Sequence, residues 1–255
     1  MTAAEPPHDV WDASSYDRLP LPHEQWGARL LSKVDLSGDE HVLDAGCGTG
    51  RDTVELLQRL PHGHVTAVDA SPAMLGRLRE RTAGEADRLT VIQGDLTCPL
   101  SLHRPADVVF SVATLHWIPD HDRVFSNFAS MMAPGALLAF ECGGLGNISR
   151  VRDAVLQATG DDSKEIGWHF ADPVETERRL LDCGFVEIDA RLRDDPAHLP
   201  PGVLFSDYLA TVILGRHLAR IPVEERSNLV RAVAAEMAEP VVDYVRLEVT
   251  ARCGV

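Results

Sequence analysis

Asp44, Gly46, Gly48 and Gly50 stand two positions apart at the end of the short apolar run His41-Val-Leu-Asp-Ala, and a helical pattern over 52–60 follows at once. Glycines at that spacing turn the backbone tightly and let it approach a ligand with no Cβ in the way. The helix behind them offers its free N–H groups to the same ligand. The chemistry is that of a nucleotide-cofactor loop; the bland alternative is a strand-to-helix turn that binds nothing. A phosphate-cradling loop needs G-x-x-x-x-G-K-[ST], whereas Gly50 is followed by Arg51-Asp52, so triphosphate hydrolysis is not expected. The dinucleotide fingerprint G-x-G-x-x-G is also broken, because its third glycine falls on Arg51, and Asp44 would sit badly beside a pyrophosphate. A carboxylate at that position suits a ligand that carries positive charge.

Two further carboxylates follow in order. The run 64–71 reads as a second buried strand ending in Asp69, at the distance past the glycines where an acidic side chain meets ribose hydroxyls. A third strand, 88–93, leads into Gly94-Asp95-Leu96, where Asp95 is either a ligand for an adenine amino group or a turn-forming aspartate. The run Asp44-Ala-Gly-Cys-Gly-Thr-Gly50 resembles the first motif, D/E-x-G-x-G-x-G, of class I S-adenosylmethionine (SAM)-dependent methyltransferases. SAM carries a sulfonium and an ammonium, which answers the charge argument. The resemblance covers about residues 11–195. It implies SAM as cofactor, held by Asp44, Gly46, Cys47, Gly48 and Gly50, by Asp69, Ala70 and Met74, by Gly94, Asp95 and Leu96, and by Val112. Cys47 lies inside the loop as a small filler, since no partner base stands near it in sequence to make it a nucleophile.

The acceptor side is carried by fewer residues. The segment Val109-Phe-Ser-Val-Ala-Thr-Leu-His-Trp-Ile-Pro-Asp-His121 is similar to the one after the fourth strand in trans-aconitate and juvenile hormone acid methyltransferases. Trp11-Asp-Ala-Ser-Ser-Tyr16 resembles the opening of the trans-aconitate group, with Ala13 in place of its proline. This resemblance implies methylation of a small-molecule carboxylate or other oxygen. Methyl transfer is an in-line displacement, so the protein has mainly to align the nucleophile and keep water out. A carboxylate needs no base; a phenol or hydroxyl usually does. His116 could hydrogen-bond a substrate oxygen or accept a proton, or it could buttress the loop beside Trp117. Tyr16 is the second catalytic candidate. Trp117, Trp168, Phe205 and Tyr208 are candidates for aromatic pocket walls, with core packing as the alternative. An acidic acceptor also calls for a local arginine, with Arg18, Arg191 and Arg216 available. Methylation of a C or N atom on a natural-product scaffold, or a SAM-binding protein that transfers nothing, are the competing functions.

These residues must be positioned by an α/β, Rossmann-like, doubly wound sheet of seven strands. The pattern expects strands near 41–44, 64–69, 88–93, 106–111, 136–141, 186–193 and 242–253. Ser71-Pro72 and Asp172-Pro173 each pair an N-cap with a proline at the first helical position, and Pro134-Gly135 is a stop signal after a helix over 120–132. Helical patterns at 206–220 and 223–237, after a turn-rich linker at 196–202, read as a cap inserted between the last two strands. The expected organisation is an N-terminal segment and helix (1–34), a cofactor-binding core (35–195), the cap (196–240) and a final strand (241–255). The cap is read as a lid, against helices packed elsewhere or at a subunit contact.

Composition bounds the partners. A net charge of -15 repels polyphosphate backbones, and no basic stripe with interleaved aromatics is present, so a small-molecule acceptor is expected and nucleic acid is not. Of 24 basic residues only Lys33 and Lys164 are lysines, which leaves little scope for lysine chemistry. The five cysteines are scattered without C-x-x-C, so a reducing compartment is expected and a structural metal site is not. There is no bilayer-length apolar run, and residues 1–9 lack the basic and apolar regions of a signal peptide, so neither a membrane nor export is expected and the expected location is cytoplasmic.

Overall fold

The chain is described here by a computed structural model covering residues 23–160 and 168–254. Trp11, Tyr16, Arg18 and Lys164, named above, lie outside the described residues. Strands β1 (His41–Ala45), β2 (His64–Asp69), β3 (Leu89–Gln93), β4 (Ala106–Val112), β5 (Met132–Gly143), β6 (Phe185–Asp194) and β9 (Val245–Cys253) form one seven-stranded sheet in the order β3-β2-β1-β4-β5-β9-β6. All pairs from β3 to β5 are parallel, and β9 runs antiparallel between β5 and β6. β1 is buried along its whole length, as a parallel strand covered on both faces must be. Leu43 lies level with Thr66 on one side and Val109 on the other, so the ends of β1, β2 and β4 come out at one edge. Strand order reverses between β1 and β4, and a crevice opens at such a switch point.

Helices α1 (His23–Leu31), α2 (Arg51–Arg59), α3 (Pro72–Arg81), α4 (His121–Met131) and α6 (Pro173–Asp182) flank the sheet, and α5 (Ser149–Thr159) packs with the cap. Two of the expected caps form as read: Ser71 Oγ accepts the N–H of Met74 at 3.4 Å, and Asp172 Oδ1 accepts that of Glu175 at 3.0 Å. The stop at Pro134-Gly135 comes later than the helix end. α4 finishes at Met131 and β5 begins at Met132, running through both residues. They sit exposed where the register with β4 slips between Ala106 and Val108, the kind of irregularity at which a proline without an N–H is tolerated.

The cap departs more from expectation. Instead of one helix over 206–220 there are α7 (Val203–Tyr208), a π-turn (Leu209–Ile213) and α8 (Gly215–Leu218), followed by α9 (Val223–Glu236). The supposed linker contains β7 (Ala197–His198), which pairs with β8 (Val241–Val242), and this shortens the final strand to begin at Val245. The cap has its own apolar core. Phe205, Tyr208, Leu209, Val212, Ile213, Val230 and Val233 pack with Trp26 of α1 and with Val151 and Val155 of α5, and Val112, Ala113, Trp168 and Phe170 lie against this cluster. The cap therefore sits at the end of β4, over the edge where the glycine loop emerges.

Candidate active site

Local backbone chemistry builds the first half of the site. Gly46 (φ +80°) and Gly50 (φ +84°) occupy the left-handed region that favours glycine. A Cβ on Gly46 would stand 2.2 Å from Thr114 Oγ1, whereas one on Gly48 would meet no atom within 4 Å. The loop after β1 is thus pressed against the loop after β4 at Gly46 and faces open space at Gly48. Gly46 and Cys47 both donate to the carbonyl of Val68, which ties the loop to the end of β2.

The carboxylates converge on this loop. Asp69 Oδ2 accepts the N–H of Gly48 at 2.9 Å, and its Oδ1 accepts that of Ser71 at 2.8 Å. Asp44 is buried and receives the Thr53 hydroxyl at 2.5 Å. Burial, with Asp52 and Asp69 as negative neighbours, pushes the Asp44 carboxyl up to about 8. Burial also drives the Cys47 thiol well above its ordinary value, which agrees with a filler and not a nucleophile. Ala70 is half-buried and Met74 buried at the start of α3, and Val112 is half-buried at the end of β4. Gly94 N–H donates to the carbonyl of Asp69. Asp95 is exposed, and its Oδ1 takes both the N–H and the hydroxyl of Thr97 at 2.8 and 2.9 Å, the bonds of a turn-forming aspartate. The Leu96 side chain joins the main core beside Val68 and Ala45.

The second half is the turn after β4. Ala113 has φ +56°, a left-handed conformation for a residue with a Cβ, and its N–H donates to Glu141 O at 2.7 Å. The Thr114 hydroxyl donates to Gly46 O and Val112 O, each at 3.1 Å. One 3₁₀ turn, Leu115–Trp117, then carries the acceptor candidates. His116 is buried, and its Nδ1 accepts the N–H of Gly143 at 3.3 Å. An aromatic group surrounds it: Trp117 at 5.0 Å and Phe170 at 6.1 Å between ring centroids, with Trp168 stacked on Phe170 at 5.9 Å and 5.3 Å from His217.

Arg216 of α8 completes this wall. Its guanidinium lies 4.8 Å from the Trp117 ring centre, and Nη2 donates to Trp117 O at 3.5 Å. Burial and then the neighbouring Arg220 lower its pKa, marking a cation held in poor solvation. Of the two described arginines proposed from sequence, Arg191 is engaged at the sheet edge by Glu248 and Asp189, and Arg216 is brought to the turn. Trp117 and Trp168 stand in the wall. Phe205 and Tyr208 lie instead in the cap core, with the Tyr208 hydroxyl on that of Tyr244 at 2.7 Å. Phe170, which the sequence offers with Trp168 as an aromatic wall, and Gly143, one of the glycines after the fifth strand, join the site, whereas Thr114 and His217 carry no sequence signal because each joins it only through long-range packing. Among the described residues no group of three metal-ligating side chains forms a metal site, and no helix is long and apolar enough to cross a membrane.

Known proteins agree with this geometry. Residues 42–135 match a family described as a methyltransferase domain. A trans-aconitate 2-methyltransferase of Acidovorax sp. (strain JS42) is 33% identical over 134 residues, which are 52% of this chain and 50% of that protein. The chain spans about half the length of the curated relatives it matches. Among solved structures, Haemonchus contortus phosphoethanolamine N-methyltransferase 2, solved with S-adenosyl-L-methionine, superposes with a TM-score of 0.59 at 19% identity, covering 89% of this chain and 52% of that one. The [4+2]-cyclase SpnF superposes with a TM-score of 0.60 at 15% identity, covering 91% and 81%. The sheet order and these superpositions give the chain the class I methyltransferase fold, and the part that matches a methyltransferase domain, residues 42–135, is the part that carries the glycine loop.

Proposed function

We propose that the protein uses SAM to methylate a carboxylate oxygen of a small molecule. The cofactor fits the residues present. Gly48 lines open space that a Cβ would narrow, Asp69 stands at the end of β2 for the ribose, and the buried Asp44 is relieved by a cationic ligand. Bound SAM would supply an electrophilic methyl carbon on its sulfonium. An ionised carboxylate would need no base, so this chain's residues would have only to orient the acceptor oxygen and exclude water.

The observation that carries the choice of acceptor is the bond from Gly143 N–H to His116 Nδ1. It occupies the lone pair of that nitrogen, so the neutral ring carries its proton on Nε2 and acts as a donor. Arg216, whose guanidinium lies over the Trp117 ring, is a second donor and a cation. Two donors suit an ionised carboxylate. A phenol or an amine needs a proton removed, and an imidazole whose lone pair is already engaged serves that poorly. The relatives described as trans-aconitate 2-methyltransferases support an acid as acceptor.

The test is a titration with SAM followed by a mass screen of small acids, phenols and amines, trans-aconitate included. A methyl ester formed from an acid, with Arg216→Ala raising KM for that acid and leaving SAM affinity unchanged, is the expected outcome. Methyl gain on an amine or phenol overturns the acceptor, and bound SAM with no methylated product overturns transfer itself.

A further inference from the structure

The Leu115–Trp117 turn, which on the reading above presents the acceptor donors, is three residues long and holds itself by two bonds, Trp117 N–H to Thr114 O and Ile118 N–H to Leu115 O. The Thr114 hydroxyl on Gly46 O ties its start to the glycine loop. Two histidines outside the site hold the rest of it. His121, the first residue of α4, places its Nε2 3.0 Å from Leu115 O, and a carbonyl can only accept, so this nitrogen carries the ring proton. His169 donates its backbone N–H to His116 O at 2.9 Å. The two imidazoles meet edge to face, 4.6 Å apart at 85°.

Packing alone does not explain an imidazole at position 121. The residue is fully buried, and its Nδ1 lies buried with no hydrogen-bond partner, as does Nε2 of His169. A phenyl or isobutyl group would fill such a space without an unmet polar atom. What the imidazole adds is the Nε2–H on Leu115 O. The charged groups around it are Arg179 and Glu175 of α6, with Asp122 of α4 paired to Arg179 at 3.6 Å. Burial lowers the His121 pKa to about 4, so the donor tautomer is neutral at physiological pH.

We infer that His121, packed against His169, is a positioning residue for methyl transfer: its Nε2–H bond to Leu115 O holds the turn that sets His116 and Trp117 against the cofactor edge. Its one hydrogen bond to the turn is to a backbone carbonyl, and it acts through the turn. The assignment rests on the turn being the acceptor site. It does not depend on the acceptor being an acid.

The experiment compares H121F, which fills the volume without a donor, with H121Q, whose amide nitrogen reaches to about the place of Nε2. Each is assayed with whichever acceptor the wild type methylates. For H121F a fall in kcat/KM of about tenfold to a hundredfold is expected, as for a displaced reacting group, with SAM Kd unchanged. H121Q should recover most of that loss. Amide exchange across 113–118 should quicken in H121F and return toward wild type in H121Q, a readout that needs no acceptor. Should H121F fail to fold, H121L, nearer the imidazole in volume, takes its place. Unchanged turnover per folded molecule and unchanged exchange in the variant without a donor overturn the proposal; so does a lower melting temperature as the sole effect. An amine product from the wild type would sink the carboxylate reading and leave this comparison intact.

Discussion

Asp69 holds the backbone of Gly48: the carboxylate at the end of β2 accepts the N–H of the loop that follows β1 at 2.9 Å. The same side chain is the one proposed above for the ribose, and on that proposal one carboxylate would both shape the loop and meet the cofactor. Replacing Asp69 by alanine should therefore weaken SAM binding by about 1 to 3 kcal/mol, the usual effect of leaving buried polar partners unmet. Calorimetric titration of the folded variant measures it. An unchanged affinity would remove Asp69 from the cofactor site.

Asp44 predicts a proton released when cofactor binds. Its carboxyl is held up at about 8, first by burial and then by Asp52 and Asp69, so at pH 7 it is mostly protonated in the free protein. A cation arriving beside it favours the ionised form and lowers that pKa. SAM affinity should then rise with pH up to about 8 and level off above it. Titrations at pH 7 in buffers of different ionisation enthalpy should show net proton release, and Asp44→Asn should abolish it. In the free protein the sign for stability is opposite: the folded state binds the extra proton, so this group's contribution is complete below the ordinary carboxylate value and is lost as pH rises through about 8.

How far the sequence discloses the site follows from the range of the contacts. Gly46, Gly48, Asp69 and the Ser71-Pro72 cap are legible because each is a local rule: a turn, a strand end, a helix start. Helix α5 has no such signal. It starts after Ile148 in a left-handed conformation with no side-chain cap, so nothing in 144–149 announces it. The break in the cap helix at Leu209–Ile213 lies inside an unbroken apolar pattern, where periodicity does not tell an α-turn from a π-turn. Arg216 reaches Trp117 across 99 positions, and no spacing rule picks it from Arg18 and Arg191. His121 was visible only as the end of a resembling segment, because its work is a bond to a backbone carbonyl.

Acid should unfold the protein partly through its far edge. His41 and His64 at the starts of β1 and β2 meet His103, ahead of β4, edge-on or tilted, with centroids 4.4 to 5.7 Å apart. Burial, then His103, lowers the His41 pKa from 6.5 to about 4. Between these values the unfolded chain binds the proton that the folded chain refuses. The stability from a neutral His41 is thus complete above about pH 6.5 and lost as pH falls toward 4, roughly 3 kcal/mol in all by linkage. Urea unfolding between pH 7 and 5 should show a steeper loss for wild type than for His41→Gln. Parallel slopes would mean that His41 titrates alike in both states.

The buried pair Glu141–Arg246 should be costly to break and cheap to replace. Glu141 Oε1 accepts Arg246 Nε at 3.2 Å and Arg193 Nη2 at 3.3 Å, and both members of the pair are 1% exposed. The guanidinium of Arg246 lies 3.7 Å from the ring centre of Trp26, so the pair fastens α1 to β5 and β9 beneath the cap cluster. Burial raises the Glu141 pKa against the pull of the two arginines, and Glu141 Oε2 and Arg246 Nη2 have no partner. An arrangement so incompletely satisfied adds little net stability, because desolvation offsets the attraction. Removing one charge is a different matter, since it strands the other. Glu141→Gln should destabilise by about 3 to 5 kcal/mol, while the double variant Glu141→Leu with Arg246→Met should lose clearly less than the sum of its two single changes. Denaturant midpoints for the four proteins close the cycle. Additive losses would show that the two side chains are not energetically coupled, and α1 would then owe its place to Trp26 and its apolar neighbours alone.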